Sequence, residues 1–420
     1  MKNSEKYFLR KDCRICRKED LQRFLELEPT PPGNNFVNEG STLKNEHRFP
    51  LELYFCNHCS HIQLGHIVDP TYLFQNNYSY VSSTSKVFVD HLNEYSDHAS
   101  SLLGLDHNSF VIDIGSNDGT CLKGFQEKGI NVLGVDPATE VANIANSNGI
   151  ETIPDFFSKK LAQEIAQKYG KADLITSHNA CAHIDDLDSV ISGVSDLLKE
   201  DGVFIMEVGY FRDVFENKWF DTIYHEHLDF HTIMPLNKLF HRFDMELFNV
   251  ERISPQGGSI RVFTQKKNGS RKINENLSVL INEETKAGLN DINKLKTFQV
   301  EIEKVKQQFK TLIDEISTTG NKIAAFGAPT KATTLCYFFD INKEDIDFIV
   351  DDNKLKQGLL SPGKHIPVYE SDKIYSEKPD YLLILAWNFA ESIMEKHDDY
   401  LKSGGKFILP MPKPVIISDR

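Results

Sequence analysis

From Phe110 to Val208 the chain alternates short apolar runs with segments of helical spacing, and a parallel, doubly wound sheet is the arrangement that buries such a pattern. Phe110–Ile114, Asn131–Val135, Asp173–Thr176 and Val203–Val208 read as strands. Cys121–Glu127, Val141–Asn148 and Leu187–Leu198 read as the helices between them, the last one stopped by Asp201-Gly202. The alternation returns later, with Ile323–Phe326, Ile346–Val350, Tyr381–Leu385 and Phe407–Leu409 as strands. A periodic stretch between Asn274 and Thr319 predicts one or two connecting helices. A chain of 420 residues is long enough for about three units, each burying its own core.

The segment before Tyr72 has a different character. It shows little periodicity and a Pro/Gly cluster (Pro29, Pro31, Pro32, Gly33), and it carries Cys13-Arg-Ile-Cys16 and Cys56-Asn-His-Cys59. Two residues of spacing let both thiolates of a pair reach one ion, so Cys13, Cys16, Cys56 and Cys59 form a candidate tetrahedral Zn²⁺ site, with His58 and His61 in reserve. Four thiolates leave no open coordination position, which makes the zinc structural. The odd total of 7 cysteines argues against a disulfide framework. The expected architecture is α/β: a small zinc-binding domain (1–70), a central doubly wound domain (71–268), then connecting helices and a C-terminal Rossmann-like domain (269–420).

The first strand of the central unit runs into Asp113-Ile-Gly115-Ser-Asn117-Asp118-Gly119, which opens a helix. Glycine at such a turn permits positive φ and close approach of a ligand to the backbone. Asn117 stands at the middle position, where a dinucleotide fingerprint has glycine, and asparagine tolerates left-handed geometry. Asp136 ends the next strand, where an acid accepts ribose hydroxyls, and Asn179 follows the fourth strand at the ligand-binding edge. Asp113, before the turn, favours S-adenosylmethionine (SAM) over a dinucleotide. That cofactor has no pyrophosphate to cradle, so fewer glycines are needed. Asp155-Phe156-Phe157 is a positional candidate for framing the adenine.

The densest chemistry lies in Trp219-Phe-Asp221-Thr-Ile-Tyr224-His225-Glu226-His227-Leu-Asp229-Phe230-His231. Adjacent residues point apart on a helix or a strand, so a second metal site built from His225, Glu226 and His227 is awkward. General acid or base work suits the segment better, because histidine titrates nearest neutral pH. Tyr78, Tyr80 and His183 are less specific, and Gly257-Gly258-Ser259-Ile-Arg261 suits either a hairpin or an anion contact.

The formal net charge of -14 disfavours nucleic acid as a partner. No stretch approaches the roughly 20 apolar residues of a membrane span, and the start lacks a signal-peptide core; the expectation is a cytoplasmic protein. From the residues alone, a methyltransferase acting on carbon or oxygen, an NAD-dependent sugar-nucleotide epimerase or dehydrogenase, and a non-catalytic zinc scaffold all stay open.

Taken in order, five motifs resemble the SAM-dependent sugar C-methyltransferases that act on nucleotide-linked 4-keto-deoxy sugars. They are the two cysteine pairs, Asp113–Gly119, Trp219–His227, Gly257–Arg261 and Phe326-Gly-Ala-Pro-Thr-Lys331. The resemblance implies a dTDP- or GDP-linked keto sugar, methylated at C3 through an enolate. It implies His227 as the base, with Glu226 and Tyr224 beside it and Tyr80 facing the sugar. His183, Arg261 and Lys331 become candidate substrate contacts, while Asp351 and Asp352 imitate a ribose-binding acid in the second alternation.

Overall fold

The computed structural model describes residues 6–40, 46–74 and 81–418. Its first strands are β1 (Tyr7–Leu9), β2 (Leu21–Thr30), β3 (Val37–Asn38), β4 (Phe49–Cys56), β5 (Ile62–Leu64) and β6 (His66–Val68). Alternate residues Leu51, Leu53 and Phe55 of β4 point into the core, as a period of two requires. Partner β2 breaks that period: its pairing with β4 shifts register between Arg23 and Leu25, and neighbouring Phe24 and Leu25 are both buried.

The central unit contributes β7 (Phe110–Ile114), β8 (Asn131–Val135), β9 (Thr152–Ile153), β10 (Ala172–His178), β11 (Leu198–Gly209), β12 (Asp229–Phe230), β13 (Met245–Ile253) and β14 (Ser259–Lys266). Seven of these form one sheet in the order β13-β14-β11-β10-β7-β8-β9, with β14 antiparallel to both neighbours. Strand order reverses between β7 and β10, which opens a crevice at their carboxyl ends. The Gly257–Arg261 turn is the hairpin of the two weighed readings, joining β13 to β14.

β12 belongs to a different sheet. Asp229 and Phe230 pair antiparallel with Gln63 and Ile62, completing a four-stranded sheet β12-β5-β4-β2. The chain then returns to the central unit through a bridge between His231 and Tyr210.

The C-terminal strands are β15 (Ile323–Phe326), β16 (Ile349–Val350), β17 (Leu359–Leu360), β18 (Val368–Tyr369), β19 (Tyr381–Ile384), β20 (Lys406–Leu409) and β21 (Val415–Ile417). Six form a sheet in the order β18-β16-β15-β19-β20-β21, parallel except for β21. Its reversal between β15 and β19 makes a second crevice, and β17 pairs with β3 of the N-terminal segment. The expected α/β architecture with two doubly wound units is therefore present.

The helix Ile292–Thr318 places Leu295, Phe298, Ile302, Val305, Phe309, Ile313 and Ile316 on one buried stripe at spacings of three and four. Asp291 caps it by accepting from the Asn293 N–H at 2.9 Å. One apolar cluster joins this stripe to Leu51, Leu53 and Phe55 on one side and to Leu335, Leu383 and Ile408 on the other. Cys13, Ile15, Cys56 and Cys59 pack instead into the cluster under the central sheet. Apart from a small cluster of Phe49, Val68 and Leu73, the apolar residues of the N-terminal segment are thus divided between the cores of its neighbours. Among the described residues no helix is long and apolar enough to cross a membrane.

A shared core predicts shared unfolding. Leu53→Ala should cost about 2–5 kcal/mol in urea titration, with reporters in the N- and C-terminal units losing signal together. Separate transitions for the two reporters would contradict the continuous cluster.

Candidate active site

Four cysteines converge where the N-terminal segment meets the central unit. Cys13 Sγ lies 3.5 Å from Cys59 Sγ, Cys16 Sγ lies 3.6 Å from Cys56 Sγ, and all four sulfurs fall within 4.8 Å of one another. Tetrahedral zinc with Zn–S bonds of about 2.3 Å requires sulfur spacings of this size. Neither reserve histidine joins them: His58 is exposed, and His61 is bonded through Nε2 to Asp229 Oδ1 at 2.7 Å.

The cofactor turn closes the first crevice from below. Gly115 has φ +77° and a Cβ there would lie 2.3 Å from the Ala180 Cβ, so only glycine lets the turn pass under the loop after β10. Asn117 and Gly119 also have positive φ, at 51° and 81°. Asp136 accepts from the Asn117 N–H at 2.9 Å and the Ala138 N–H at 2.8 Å, so it braces the turn. Burial holds the Asp113 and Asp136 carboxyls above their ordinary range. From the other side Ser82 N–H donates to Asn117 Oδ1 at 2.8 Å and Ser83 N–H to Asp118 Oδ2 at 3.1 Å. Tyr78 and Tyr80, which precede this strap in sequence, lie outside the described residues.

Among the described residues, buried Asp113 Oδ1, Ser116 Oγ and both ring nitrogens of His178 find no hydrogen-bond partner at this crevice. A SAM molecule fits that donor set, since its ammonium and carboxylate need an acceptor and donors held out of water. His178 escaped the sequence reading because no motif marks it; only the 3.7 Å approach of its Nδ1 to Asp113 Oδ1 does so. Asn179 has φ 58° and donates its N–H to the Glu207 carbonyl at 2.8 Å, fixing the loop edge. Asp155 is exposed, while Phe157 is buried in the core beneath.

The histidine-rich segment lies along the same edge, tied down by a 2.8 Å bond from the Leu228 N–H to the Ala182 carbonyl. His227 Nδ1 sits 2.8 Å from the Thr222 carbonyl, which can only accept, so the proton is on Nδ1. Nε2 is then the lone-pair nitrogen, and it accepts from the Tyr224 hydroxyl at 2.6 Å. Burial, helped by the nearby His183 and Lys331, holds His227 well below the usual histidine range, so it is neutral. His183 stacks edge-on to it with ring centroids 5.0 Å apart and is itself pushed down to about 4 by burial.

The two residues between Tyr224 and His227 sit in a turn and take other partners. His225 donates to the Phe49 carbonyl at 3.1 Å. Buried Glu226 accepts from Asn34 at 2.9 Å, and burial pushes its carboxyl up to about 7. Among the described residues His225, Glu226 and His227 form no metal cluster.

The second crevice meets this segment from the opposite side. Asp221 accepts from the Trp387 indole at 2.6 Å, and Thr334 donates to the Ile223 carbonyl at 2.9 Å. Lys331 Nζ lies 3.5 Å above the Trp387 ring and 3.9 Å from Asp221, and burial lowers it to about 8. Trp219 stacks on Trp387 at 4.8 Å. Trp387 and Asn34 were not singled out from sequence, and Asp221 was read only as part of the histidine-rich segment, because each acquires its role through a partner distant along the chain.

The structure thus brings His183, Tyr224, His227 and Lys331 together, with Glu226 on the adjoining face. Arg261 stands apart from this group, held in the sheet by Glu207 at 2.6 Å and Glu251 at 3.3 Å and lying over the Tyr95 ring. Burial works against the Glu207 charge, but His178, His91 and Arg261 outweigh it and bring the carboxyl down to about 2. Asp351 braces the second turn by accepting from the Ala328 N–H at 2.6 Å, while Asp352 pairs with Lys396 at 2.7 Å.

Family models match the chain in three consecutive pieces: "Putative zinc binding domain" over residues 13–74, "Methyltransferase domain" over 88–250 and "C-methyltransferase C-terminal domain" over 254–412. C-methyltransferase NovU of Streptomyces niveus is 33% identical over 407 residues, 97% of each chain. The chain belongs to this C-methyltransferase family.

A ubiquinone biosynthesis O-methyltransferase of Photorhabdus laumondii is 30% identical over 94 residues, 22% of this chain and 39% of that protein. A SAM-dependent methyltransferase structure from Clostridium acetobutylicum covers 43% of this chain and 92% of its own at 16% identity and a TM-score of 0.35, which adds nothing to the assignment. As a SAM-dependent C-methyltransferase, the protein is neither an oxidoreductase nor a scaffold, and its methyl acceptor is carbon rather than oxygen. The C-methyltransferase should lose SAM affinity at least ~10-fold on Gly115→Ala, measured by calorimetry, because the new methyl strains a positive φ and strikes Ala180. Retained affinity would mean that SAM binds elsewhere.

Proposed function

We propose that this C-methyltransferase alkylates C3 of a dTDP- or GDP-linked 4-keto-6-deoxy sugar by base-catalysed enolate formation, in deoxysugar biosynthesis for a surface glycan or an antibiotic. The observation that carries the reading is the Tyr224–His227 couple, whose proton arrangement is fixed by the Thr222 carbonyl. The order of motifs shared with sugar C-methyltransferases supports the choice of acceptor.

When bound, SAM supplies an electrophilic methyl group on a sulfonium. The chain's own residues must make a carbon nucleophilic beside it. A 4-keto group acidifies the C3 proton, and neutral His227 takes that proton on Nε2, once substrate displaces or is bridged by the Tyr224 hydroxyl. The C3 electron pair moves into the enolate, whose oxygen is met by a donor such as Tyr224 or His183. The ketone re-forms as its neighbouring carbon takes the methyl, whose bond to sulfur breaks with the electron pair left on sulfur, while the segment holds the reacting atoms within about 3–3.5 Å. Asp113, Gly115, Asn117, Gly119, Asp136 and Asn179 hold the cofactor in this reading.

Lys331 supplies a cation for the anionic diphosphate, and its stacking on Trp387 and pairing with Asp221 keep it at the crevice mouth. Arg261 is a less direct substrate contact, because its guanidinium is committed to carboxylates.

His227→Ala should lower kcat about 100-fold or more with SAM affinity unchanged, and should abolish deuterium uptake at the sugar C3 in heavy water. Labelled SAM with a panel of 4-keto sugar nucleotides, followed by NMR of the product, checks the acceptor; wild-type activity in the variant removes the base. Lys331 carries its charge below about 8, so kcat/KM should fall as pH rises through that value. Lys331→Arg, charged throughout, should move that limb to higher pH; an unmoved limb would assign it to another group.

A further inference from the structure

We propose that Arg14, seated between two of the zinc-site cysteines, is a positioning residue for methyl transfer that fixes the His183 loop and the His227 segment against one another. Its side chain is fully buried although it carries a permanent charge. Nε donates to Asp185 Oδ1 at 2.9 Å, just beyond the turn that bears His183. Nη1 donates to the Leu228 carbonyl at 3.1 Å, next to His227, and to the Leu64 carbonyl at 3.1 Å, and it lies 3.8 Å from Asp229 Oδ1. The Arg14 N–H donates to Gln63 Oε1 at 2.9 Å, anchoring the knuckle to β5. One planar guanidinium therefore touches the knuckle strand, the loop after β10 and the histidine segment, where a point charge on lysine cannot satisfy all three.

Burying such a charge is a poor way to gain stability, because desolvation offsets most of the Coulomb attraction; fixing register is the better-attested role of buried ion pairs. Here the register has a chemical object. Arg14 holds Leu228 through its carbonyl, and Ala182 holds the same residue through its N–H. With the peptide groups on both sides of Leu228 fixed, His227 and His183 keep their 5.0 Å ring spacing at the cofactor edge. Cysteines 13 and 16 set the direction in which Arg14 leaves the knuckle, so the metal site acts on the chemistry through this side chain.

The kinetic part of this inference rests on His227 as the base, whereas the structural part does not. The test uses the full-length zinc-loaded protein and its Arg14→Met and Arg14→Lys variants. Hydrogen exchange by mass spectrometry should show the peptide over 224–231 exchanging at least ~10-fold faster in Arg14→Met, with zinc content and SAM affinity unchanged. The same variant should lower kcat ~10-fold or more with KM little altered, and Arg14→Lys should recover part of both effects. Adding Arg14→Met to His227→Ala should slow turnover no further.

Unchanged exchange over 224–231 in a folded, zinc-loaded variant overturns the proposal. Faster exchange throughout the chain together with zinc loss also overturns it, since Arg14 would then serve the fold generally. Should Arg14→Met fail to fold, Asp185→Ala removes one acceptor, a partly exposed carboxylate that Arg10 also contacts, and should loosen the same peptide; no loosening overturns the proposal. Faster local exchange alongside a fully active His227→Ala would leave the tether standing and remove only the base assignment.

Discussion

The short pairing of Asp229 and Phe230 with Gln63 and Ile62 is the constraint on which the rest of the site depends. A segment of the central unit leaves its own sheet to become the edge strand of another, so the chain just before it cannot move independently of either. Tyr224 and His227 occupy that chain. The cysteine knuckle, the cofactor turn and the second crevice are each one or two contacts away, through Arg14, Ala182 and Asp221. The histidine segment is thereby fixed from several directions without forming a regular element of its own.

Burial then sets the charge states. His183 and His227 are driven neutral and Glu226 is driven toward protonation, because a partly closed site charges heavily for ionised groups. A neutral imidazole with a fixed lone pair is what proton abstraction from carbon requires. Burial raises the Asp221 carboxyl as well, but Lys331 and the Trp387 indole work against it, and the acid holds the Lys331 ammonium where an anionic ligand would need a cation.

Much of the central fold was legible in sequence because its strands are apolar runs flanked by helices of regular spacing. β7 and β8 match the expected bounds, and the helix Leu187–Leu197 differs by one residue. β11 runs from Leu198 rather than Val203, since its polar start Lys199-Glu200-Asp201 conceals the strand. The N-terminal sheet was missed for a physical reason: the register shift at Arg23 and Leu25 destroys the alternation that reveals a half-buried strand. In the site, motifs located the cysteines, the cofactor turn and the histidine segment. Their partners were invisible, because Arg14, Asn34, His178, Asp221 and Trp387 take meaning only from residues far away in the chain. Arg261 shows the reverse: a cation beside two glycines reads as an anion contact until Glu207 is found next to it.

The borrowed edge strand also orders events during synthesis. β5 is made early, yet its partner β12 leaves the ribosome only after most of the central unit has been translated. Throughout that interval β5 presents unpaired amide and carbonyl groups, a surface that nascent chains on one message can share with each other. Capture of a metal ion by the early cysteines would tie β4, which ends in Cys56 and pairs with β5, to the Cys13 knuckle before that edge is covered.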